Sequence, residues 1–306
     1  MRYLYVFNHA EGEDELYALE LKTLFGTAPS KKYLISEVDL DPSRSVFIKE
    51  RLTLMYEAAS LEDLCGQIQE RPIGFETFKI LYLRFPGESL DYRQRLAALG
   101  QIGGLVGGEA DMYHPAQLLG LAELEDRWLF GILEPNENSW VLHENKPFSY
   151  SFSLSVRVSR ALANIAIGHD FSQKLIDPCC GVGTVVLEAL AVGGRIRGNE
   201  LNPKVAEKAV ANLRHYGHDP VIEVGDIKDV KGHYDTAIID LPYGHFNPIA
   251  PEDQQLILRE ARRLARKLIL VTQVDMAPEL AAAGFVRVDG CRVKKGKFVR
   301  YITICN

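Results

Sequence analysis

The sequence predicts an α/β protein whose C-terminal half forms a doubly wound, mostly parallel β-sheet. From Lys174 to Thr272, short apolar segments alternate with amphipathic ones, which is the pattern of parallel strands connected by helices. Two apolar segments, Phe285–Val293 and Phe298–Cys305, close the chain with a short glycine-containing turn between them, as in an antiparallel edge hairpin. A length of 306 residues also exceeds what one hydrophobic core usually supports, so we expect two domains.

The alternation predicts the order of the elements in this half. A helix over Leu154–Ile167 precedes the sheet, because its apolar residues recur at helical spacing. The expected strands before the hairpin are Lys174–Pro178, Arg195–Glu200, Val221–Val224, Tyr234–Asp240 and Leu268–Thr272. The expected helices between them are Thr184–Val192, Pro203–Tyr216, Pro251–Ala265 and Ala277–Ala283.

The N-terminal half mixes helical and strand-like segments without an internal repeat, which predicts an α+β domain. Strands are expected at Tyr3–Phe7, Thr77–Arg84 and Trp128–Leu133, helices at Asp14–Phe25, Leu61–Gln69 and Tyr92–Ile102, whereas Ser45–Ala58 is ambiguous. The polar, turn-rich stretch Glu134–Pro147 is the best candidate linker. The domains are therefore expected at residues 1–145 and 146–306.

Charge and composition restrict the classes of function. Residues 1–145 contain 13 Lys and Arg against 24 Asp and Glu, a net charge of −11, whereas residues 146–306 contain 22 against 17, a net charge of +5. An acidic half is an unfavourable surface for nucleic acid. No apolar run reaches the roughly 18 residues of a membrane span, and the run Tyr3–Phe7 is too short for a signal peptide. The five cysteines include no CxxC pair, which argues against a disulfide framework or a zinc site and favours the reducing cytoplasm.

Acidic residues stand at the ends of three successive predicted strands. Asp177 ends the first strand, and the glycines that follow it, Gly181 and Gly183, allow a ligand to approach the backbone closely because they lack a Cβ. Glu200 ends the second strand, where a carboxylate can accept hydrogen bonds from both hydroxyls of a ribose. Asp226 follows the third strand and can accept from an adenine amino group. Because ligands of open α/β sheets bind at this edge, the pattern predicts a cofactor that contains a nucleoside.

The dinucleotide NAD is the competing cofactor. Its fingerprint, G-x-G-x-x-G, needs a third glycine where this chain has Val186. A plain dinucleotide-binding domain also lacks the terminal hairpin. Seven strands with a terminal hairpin resemble the class I methyltransferases, which implies S-adenosylmethionine rather than NAD as the cofactor.

The segment Asp240-Leu241-Pro242-Tyr243-Gly244 follows the fourth predicted strand of the domain and is typical of methyl transfer to an amine. The exocyclic amine of a base is a poor nucleophile, because its lone pair is delocalised into the ring. The Asp240 carboxylate and the Leu241 carbonyl can both accept its N–H groups and hold the nitrogen in line with the methyl donor. Pro242 stiffens the turn, and the Tyr243 ring can stack on a planar base, an interaction worth about 1–3 kcal/mol. These four residues are the predicted catalytic site.

The motifs resemble those of the THUMP-domain tRNA guanine-N2 methyltransferases. In that family the first motif reads D-P-x-C-G-x-G-T, as residues 177–184 do here, and the catalytic motif reads D-P-P-Y-G. The segments Asn145–Phe148 and Ser159–Asn164 are similar to the family's K/R-R-P-F-x-H-P and A-R-A-x-x-N-L segments. Further upstream, Val106–Asp111 and Trp128–Gly131 are similar to the end of a THUMP domain.

The resemblance implies a Rossmann-like class I methyltransferase domain of seven strands, preceded by a THUMP-like domain that recruits structured RNA. It implies S-adenosylmethionine as methyl donor, the N2 amine of guanosine in tRNA as acceptor, and no metal. It assigns the cofactor to Phe148, Ser149, Asp177, Cys179, Gly181, Gly183, Thr184, Glu200, Leu201, Asp226, Ile227 and Asp240. RNA contacts are expected from His245 and Phe246 beside the catalytic motif and from Lys294, Lys295, Lys297 and Arg300 at the hairpin.

This chain departs from the family pattern in three ways. Leu241 replaces the first proline of the catalytic motif, and the segment after Phe148 lacks the His-Pro pair. The N-terminal half is acidic where an RNA-binding domain is expected to be basic. Two alternatives therefore stay open. One is a methyltransferase of the same fold that acts on another amine, in another RNA base, a protein amide or a small molecule. The other is a catalytically silent protein that binds S-adenosylmethionine or RNA.

Overall fold

The computed structural model describes residues 1–85, 90–150, 153–241, 250–296 and 298–306, and of Lys295 only the backbone. The strands are β1 (Tyr3–Phe7), β2 (Tyr33–Ser36), β3 (Ile48–Ala58), β4 (Gly74–Tyr82), β5 (Gly107–Ala110), β6 (Gln117–Leu124), β7 (Arg127–Pro135), β8 (Lys174–Asp177), β9 (Arg195–Glu200), β10 (Ile222–Val224), β11 (Tyr234–Asp240), β12 (Ala265–Thr272), β13 (Arg287–Lys295) and β14 (Phe298–Cys305). The α-helices are α1 (Asp14–Phe25), α2 (Leu61–Glu70), α3 (Tyr92–Gly103), α4 (Val156–Ile167), α5 (Thr184–Ala191), α6 (Pro203–His215), α7 (Pro251–Leu264) and α8 (Ala277–Ala282). Short 3-10 helices lie at Pro42–Arg44, Ser139–Asn145 and Ile227–Asp229.

The chain forms two compact units, each built from three segments. The first comprises Met1–Asn8, Lys31–Ser43 and Ile48–Glu137. The second comprises His9–Ser30, Arg44–Phe47 and Asn138–Asn306. We call the second the catalytic unit, because it contains the predicted cofactor and amine sites. The units differ from a single division near residue 145, since the catalytic unit also takes in α1.

The sheet of the catalytic unit has the predicted topology. Its strand order is β10-β9-β8-β11-β12-β14-β13. The five strands from β10 to β12 are parallel, whereas β14 pairs antiparallel with both β12 and β13. This is the predicted doubly wound sheet with an antiparallel edge hairpin. Helices α7 and α8 share one hydrophobic cluster with β8, β11 and β12.

Helix α1 completes the catalytic unit, although it lies far from the rest of it in sequence. It packs against α4 and β13. At its centre Glu20, which is fully buried, accepts hydrogen bonds from the Asn164 side-chain amide and, at 3.1 Å, from the Ser45 hydroxyl. Arg44 donates to the Asn164 side-chain oxygen at 3.1 Å. A polar network therefore fixes α1 to α4 inside the unit.

The other unit is a mixed sheet of strand order β2-β1-β3-β7-β6-β4-β5, with parallel pairing of β4 to β5 and β6. The ambiguous segment at Ser45–Ala58 is the strand β3. Strands β2, β5 and β6 were not predicted from the sequence. β6 reads Q-L-L-G-L-A-E-L, which is rich in helix-favouring residues, yet it pairs with β7 on one side and β4 on the other. Tertiary pairing therefore outweighs local propensity here.

Candidate functional site: the carboxyl edge of the parallel strands

The candidate site lies where the direction of winding reverses in the catalytic unit. From β8 the chain moves outward to β9 and β10, then returns to β11 on the other side of β8. Asp177 ends β8 and Asp240 ends β11, and these two strands are hydrogen-bonded neighbours. Ligands of open α/β sheets bind at such a switch point, outside the carboxyl ends of the strands. The structure therefore brings Asp177 and Asp240 to the expected edge.

A glycine-containing loop connects Asp177 to α5. Gly181 and Gly183 have φ angles of +54° and +78°, in the left-handed region that side chains disfavour. A Cβ at Gly181 would meet no described atom within 4 Å, so the backbone faces open space. A Cβ at Gly183 would lie 3.2 Å from the Cβ of Ala209, because α6 packs directly on the loop. Gly181 thus opens the loop toward a ligand, and Gly183 allows close packing behind it.

Glu200, at the end of β9, is held by two backbone donors. One carboxylate oxygen accepts the N–H of Gly181 at 3.0 Å, and the other accepts the N–H of Asn202 at 2.9 Å. An ionised carboxylate has about four lone-pair sites, so each oxygen can accept one more hydrogen bond. These two acceptor oxygens therefore fit a ribose with two neighbouring hydroxyls. Leu201, the next residue, exposes 68% of its surface beside this carboxylate.

Asp226 follows β10 and begins the short helix Ile227–Asp229. Its Oδ1 accepts the N–H of Lys228 at 3.0 Å, which fixes the turn. Ile227 is buried. A side chain that the sequence did not single out joins this turn to the glycine loop: the amide of Asn199 donates to Pro178 O at 3.2 Å and to Gly225 O at 3.0 Å. Its place inside a strand-end motif, next to Glu200, was the available signal.

Electrostatics at this edge are dominated by negative charge. Asp177 is only 3% exposed, and its Oδ1 accepts the N–H of Cys179 at 3.2 Å. Burial, followed by the charges of Asp240 and Glu200, raises the pKa of Asp177 to about 8. A sulfonium cation brought into this edge would be attracted by Asp240 and Glu200 and would favour the ionised form of Asp177.

The two cysteines and the threonine of the first motif, Cys179, Cys180 and Thr184, lie in largely buried positions. Burial raises the pKa of the Cys179 and Cys180 thiols above the ordinary value, so neither is an activated nucleophile. Thr184 is the buried first residue of α5. Its assignment and that of Cys179 to the cofactor stay predictions.

The predicted amine site begins with Asp240 and Leu241. Asp240 is half-buried, whereas Leu241 is 2% exposed and packs in the cluster beneath α7 and α8. The N–H of Leu241 donates to Val271 O in β12 at 3.1 Å. The remaining predicted residues of this site, Pro242, Tyr243, His245 and Phe246, lie outside the described residues.

The upstream segment of the predicted cofactor site is anchored at two places. Before it, buried Glu188 of α5 accepts from His143 Nδ1 and, at 2.6 Å, from Arg160 Nε. Within it, Asn212 of α6 bonds to both the N–H and the carbonyl of Phe148 at 2.9 Å. Phe148 exposes 40% of its surface and Ser149 is exposed. The sequence did not single out Asn212, although an asparagine on the apolar face of α6 was a signal.

The basic residues of the edge hairpin divide into described and undescribed ones. Tyr301 of β14 pairs with Thr272, the last residue of β12, so the start of β14 extends past the carboxyl end of the parallel strands. Lys294 is exposed and Arg300 is half-buried near that end. The Lys295 side chain and all of Lys297 lie outside the described residues. The hairpin therefore projects on the same side as the candidate site.

Four arginines recur at helical spacing in α7 and at the start of β12: Arg259, Arg262, Arg263 and Arg266. Arg263 donates to Val230 O at 3.1 Å and Ile227 O at 3.2 Å and pairs with Glu260. Arg266 pairs with Asp235 at 2.9 Å. These contacts within the unit favour a structural role for at least Arg263 and Arg266.

The described residues contain no helix suited to crossing a membrane and no cluster of metal-ligating side chains. None of the helices there combines the length and hydropathy that a membrane crossing requires. No group of three or more His, Cys, Asp or Glu side chains in the same part of the chain is arranged to hold a metal ion.

Comparison with known proteins gives a family match and several relatives. Residues 144–300 match the family model described as UPF0020, RMKL-like, methyltransferase domain. The chain is 25% identical over 240 residues to a tRNA (guanine(10)-N2)-dimethyltransferase of Methanothermobacter thermautotrophicus. The matched region covers 72% of this chain and 71% of that protein. The enzyme of the same name from Pyrococcus abyssi is 28% identical over 122 residues, or 38% of this chain and 36% of that protein. Among solved structures, TrmN from Thermus thermophilus superposes with a TM-score of 0.50 at 16% identity, covering 100% of this chain and 99% of that one.

Proposed function

The chain belongs to the RMKL-like methyltransferase domain family, and we propose that it transfers a methyl group from S-adenosylmethionine to the N2 amine of guanosine in tRNA. Family membership makes the chain a methyltransferase, as the sequence predicted. The substrate is proposed from the catalytic motif together with the two relatives, both named tRNA (guanine(10)-N2)-dimethyltransferase. Guanosine 10 of tRNA is accordingly the first position to test.

The observation that carries the proposal is the position of Asp240 and Leu241 at the switch point. Asp240 ends β11 and Leu241 follows it directly, next to β8, whose own end carries Asp177 and the glycine loop. A methyl donor bound along the loop would therefore have acceptor groups for an amine beside it. The buried Leu241 side chain and its ladder hydrogen bond to Val271 hold the backbone that presents the carbonyl.

The residues present fit S-adenosylmethionine. Glu200 has acceptor capacity left for the two ribose hydroxyls, and Gly181 leaves the loop open. The exposed apolar surface of Leu201 suits packing against the adenine ring. The carboxylate of Asp226 suits a hydrogen bond from the adenine amino group. The carboxylates around Asp177 suit a cationic ligand. When bound, the cofactor supplies a methyl group on a sulfonium, which is transferred by in-line displacement.

The chain's own contribution to the reaction is positioning and electrostatics. Asp240 and the Leu241 carbonyl would accept the two N–H groups of the amine, which orients the nitrogen and localises its lone pair. Asp240 need not be a strong base, because it acts through orientation and charge. Preorganised acceptors of this kind commonly contribute about 3–4 kcal/mol to the transition state.

RNA recruitment is proposed for the N-terminal region together with the edge hairpin. Residues 107–110, within the stretch that resembles a THUMP domain, form the exposed edge strand β5. Lys294 offers an exposed cation on the side of the candidate site. With tRNA as substrate, we place the protein in the cytoplasm.

The test is methyl transfer from labelled S-adenosylmethionine into unmodified tRNA transcripts, followed by mass spectrometry of the nucleosides. The proposal expects N2-methylguanosine or N2,N2-dimethylguanosine. Another methylated base, or label in protein, would reject the guanine assignment and keep the methyltransferase. No transfer to any substrate while the cofactor binds would favour a catalytically silent protein.

A further inference from the structure

Asn212 is a buried amide whose hydrogen bonds all go to the two backbone segments of the proposed cofactor site. It lies in α6 on the same face as Ala209 and is 0% exposed. Its side-chain oxygen accepts the N–H of Phe148 at 2.9 Å, and its NH₂ group donates to Phe148 O and Val182 O, both at 2.9 Å. Both N–H groups of the amide are thus used, and a flipped amide would place donor against donor at Phe148.

The bonding pattern joins segments that are distant in sequence. With its donor and its acceptor, Asn212 pairs with Phe148 as a neighbouring strand would. The third bond reaches the carbonyl between Gly181 and Gly183, at the turn of the glycine loop. One side chain therefore holds the upstream segment and the loop at a fixed separation.

Helix α6 is rigidly placed to do this. One turn before Asn212, Ala209 lies against Gly183, where an added Cβ would approach the Ala209 Cβ to 3.2 Å. The start of α6 is capped by Asn202, whose side chain accepts the N–H of Lys204 at 3.0 Å, and the Asn202 N–H bonds to Glu200. The helix that carries Asn212 is thus tied at its beginning to Glu200 and along its length to the loop.

We propose that Asn212 is a positioning residue for S-adenosylmethionine, which sets the Phe148 segment against the glycine loop so that both contact one cofactor molecule. The inference rests on the proposed function, because it assumes that these two segments bind the cofactor. Without Asn212, the buried N–H and carbonyl groups of Phe148 and the carbonyl of Val182 lose a partner, and the segment has more conformations from which to bind. The effect falls on cofactor affinity and less on the chemical step.

The test compares Asn212→Ala with Asn164→Ala in the full-length chain. Asn164 is equally buried in the catalytic unit but bonds to Glu20 and Arg44, so its variant controls for lost stability. Calorimetric binding of S-adenosylmethionine and steady-state kinetics are measured for both. Asn212→Ala is expected to raise Kd and KM for the cofactor roughly tenfold, with kcat at saturation changed less than about threefold. Asn164→Ala is expected to keep the wild-type Kd.

Amide hydrogen exchange without cofactor gives a readout independent of activity. The amide of Phe148 is expected to exchange faster in Asn212→Ala and at the wild-type rate in Asn164→Ala. Should Asn212→Ala fail to fold, Asn212→Ser, which keeps one hydroxyl in the site, takes its place with the same expectations. A wild-type Kd in the Asn212 variant, or an equal loss in the Asn164 variant, would overturn the inference. Wild-type protein that binds no S-adenosylmethionine would instead overturn the proposed function.

Discussion

The main-chain N–H of Leu241 donates a hydrogen bond to the carbonyl oxygen of Val271 at 3.1 Å. It continues the pairing of β11 with β12, whose last register pair is Asp240 with Val271. A proline has no N–H, so the proline that the resembling family carries here could not make this bond. In this chain, Leu241 thus restrains the catalytic backbone by hydrogen bonding and burial where the family uses a rigid ring.

Replacing Leu241 with the family's proline is therefore expected to impair the protein. Leu241→Pro orphans the Val271 carbonyl, which is buried, at a cost of about 1–3 kcal/mol. The effect is measured as the midpoint of thermal unfolding and as kcat for methyl transfer, and both values are expected to fall. Leu241→Met keeps the N–H and the volume and should cost less than about 1.5 kcal/mol. A Leu241→Pro variant as stable and active as wild type would show that the ladder bond is dispensable.

Asp240→Ala is expected to abolish turnover and leave the cofactor bound. The variant removes one of the two acceptors proposed for the amine, so kcat should fall by about 100-fold or more. Because the resemblance also assigns Asp240 to the cofactor, binding is measured by calorimetry and kcat is compared at saturating cofactor, where the variant should still bind it. The matched control is Asp235→Ala, which removes a carboxylate at the opposite end of the same strand and should keep kcat. Equal kcat values in Asp240→Ala and wild type would remove Asp240 from the catalytic site.

Ionisation of Asp177 predicts a pH-dependent stability. Its pKa is raised to about 8, chiefly by burial, from an ordinary value of 3.8. A raised carboxyl pKa means that the folded state favours the neutral form. The stability that this form contributes is complete below about pH 4 and is lost as pH rises toward about 8.

The variant Asp177→Asn has no carboxyl group at this position, so it tests whether ionisation of Asp177 causes the pH dependence of stability. Thermal midpoints of the variant and of wild type should diverge from about pH 4 to about pH 8, with the variant the more stable at high pH. Each kcal/mol corresponds to roughly 2–4 °C in a protein of this size. Burial also raises the pKa of Glu20, to about 7, but that group titrates in both proteins and cancels in the comparison. Parallel midpoint curves would contradict the assignment.

The contribution of α1 to the catalytic unit predicts that residues 146–306 do not form a stable domain alone. Among the buried side chains of α1 that the fragment lacks are the leucines Leu16, Leu19 and Leu24 and the carboxylate of Glu20 that bonds to Asn164. Burying each leucine contributes about 1.5–3 kcal/mol, and three of them together rival the 5–15 kcal/mol of a whole protein. Urea unfolding followed by circular dichroism is expected to show no cooperative transition for the fragment.

The control is Leu16→Ala in the full-length chain. It should lower the free energy of unfolding by about 2–5 kcal/mol and leave the protein folded. A fragment that unfolds cooperatively at the wild-type urea concentration would show that α1 is dispensable.

The features that could be predicted from the sequence are those that depend on the local pattern of apolar and polar residues. The strands and helices of the catalytic unit follow from the spacing of their apolar residues. Asp177, Glu200, Asp226 and Asp240 could be chosen as candidate site residues because each stands at or just after a strand end. Strand β6 was missed, because pairing with two neighbours makes a strand of a leucine-rich segment. The contacts of Asn212 with Phe148 and of Glu20 with Asn164 join residues 64 and 144 positions apart, a relationship that no local pattern indicates.

Methyl transfer to the N2 amine of guanosine is tested most directly by removing that amine from the RNA. Inosine lacks the N2 amine of guanosine and is otherwise the same nucleoside, so a transcript with inosine at position 10 should bind but accept no methyl group. Transfer of labelled methyl from S-adenosylmethionine is measured into this transcript and into its guanosine counterpart. Incorporation is expected into the guanosine transcript alone, as N2-methylated guanosine. Equal incorporation into both transcripts would contradict methylation at position 10, and label in any nucleoside other than N2-methylated guanosine would contradict the N2 amine as acceptor.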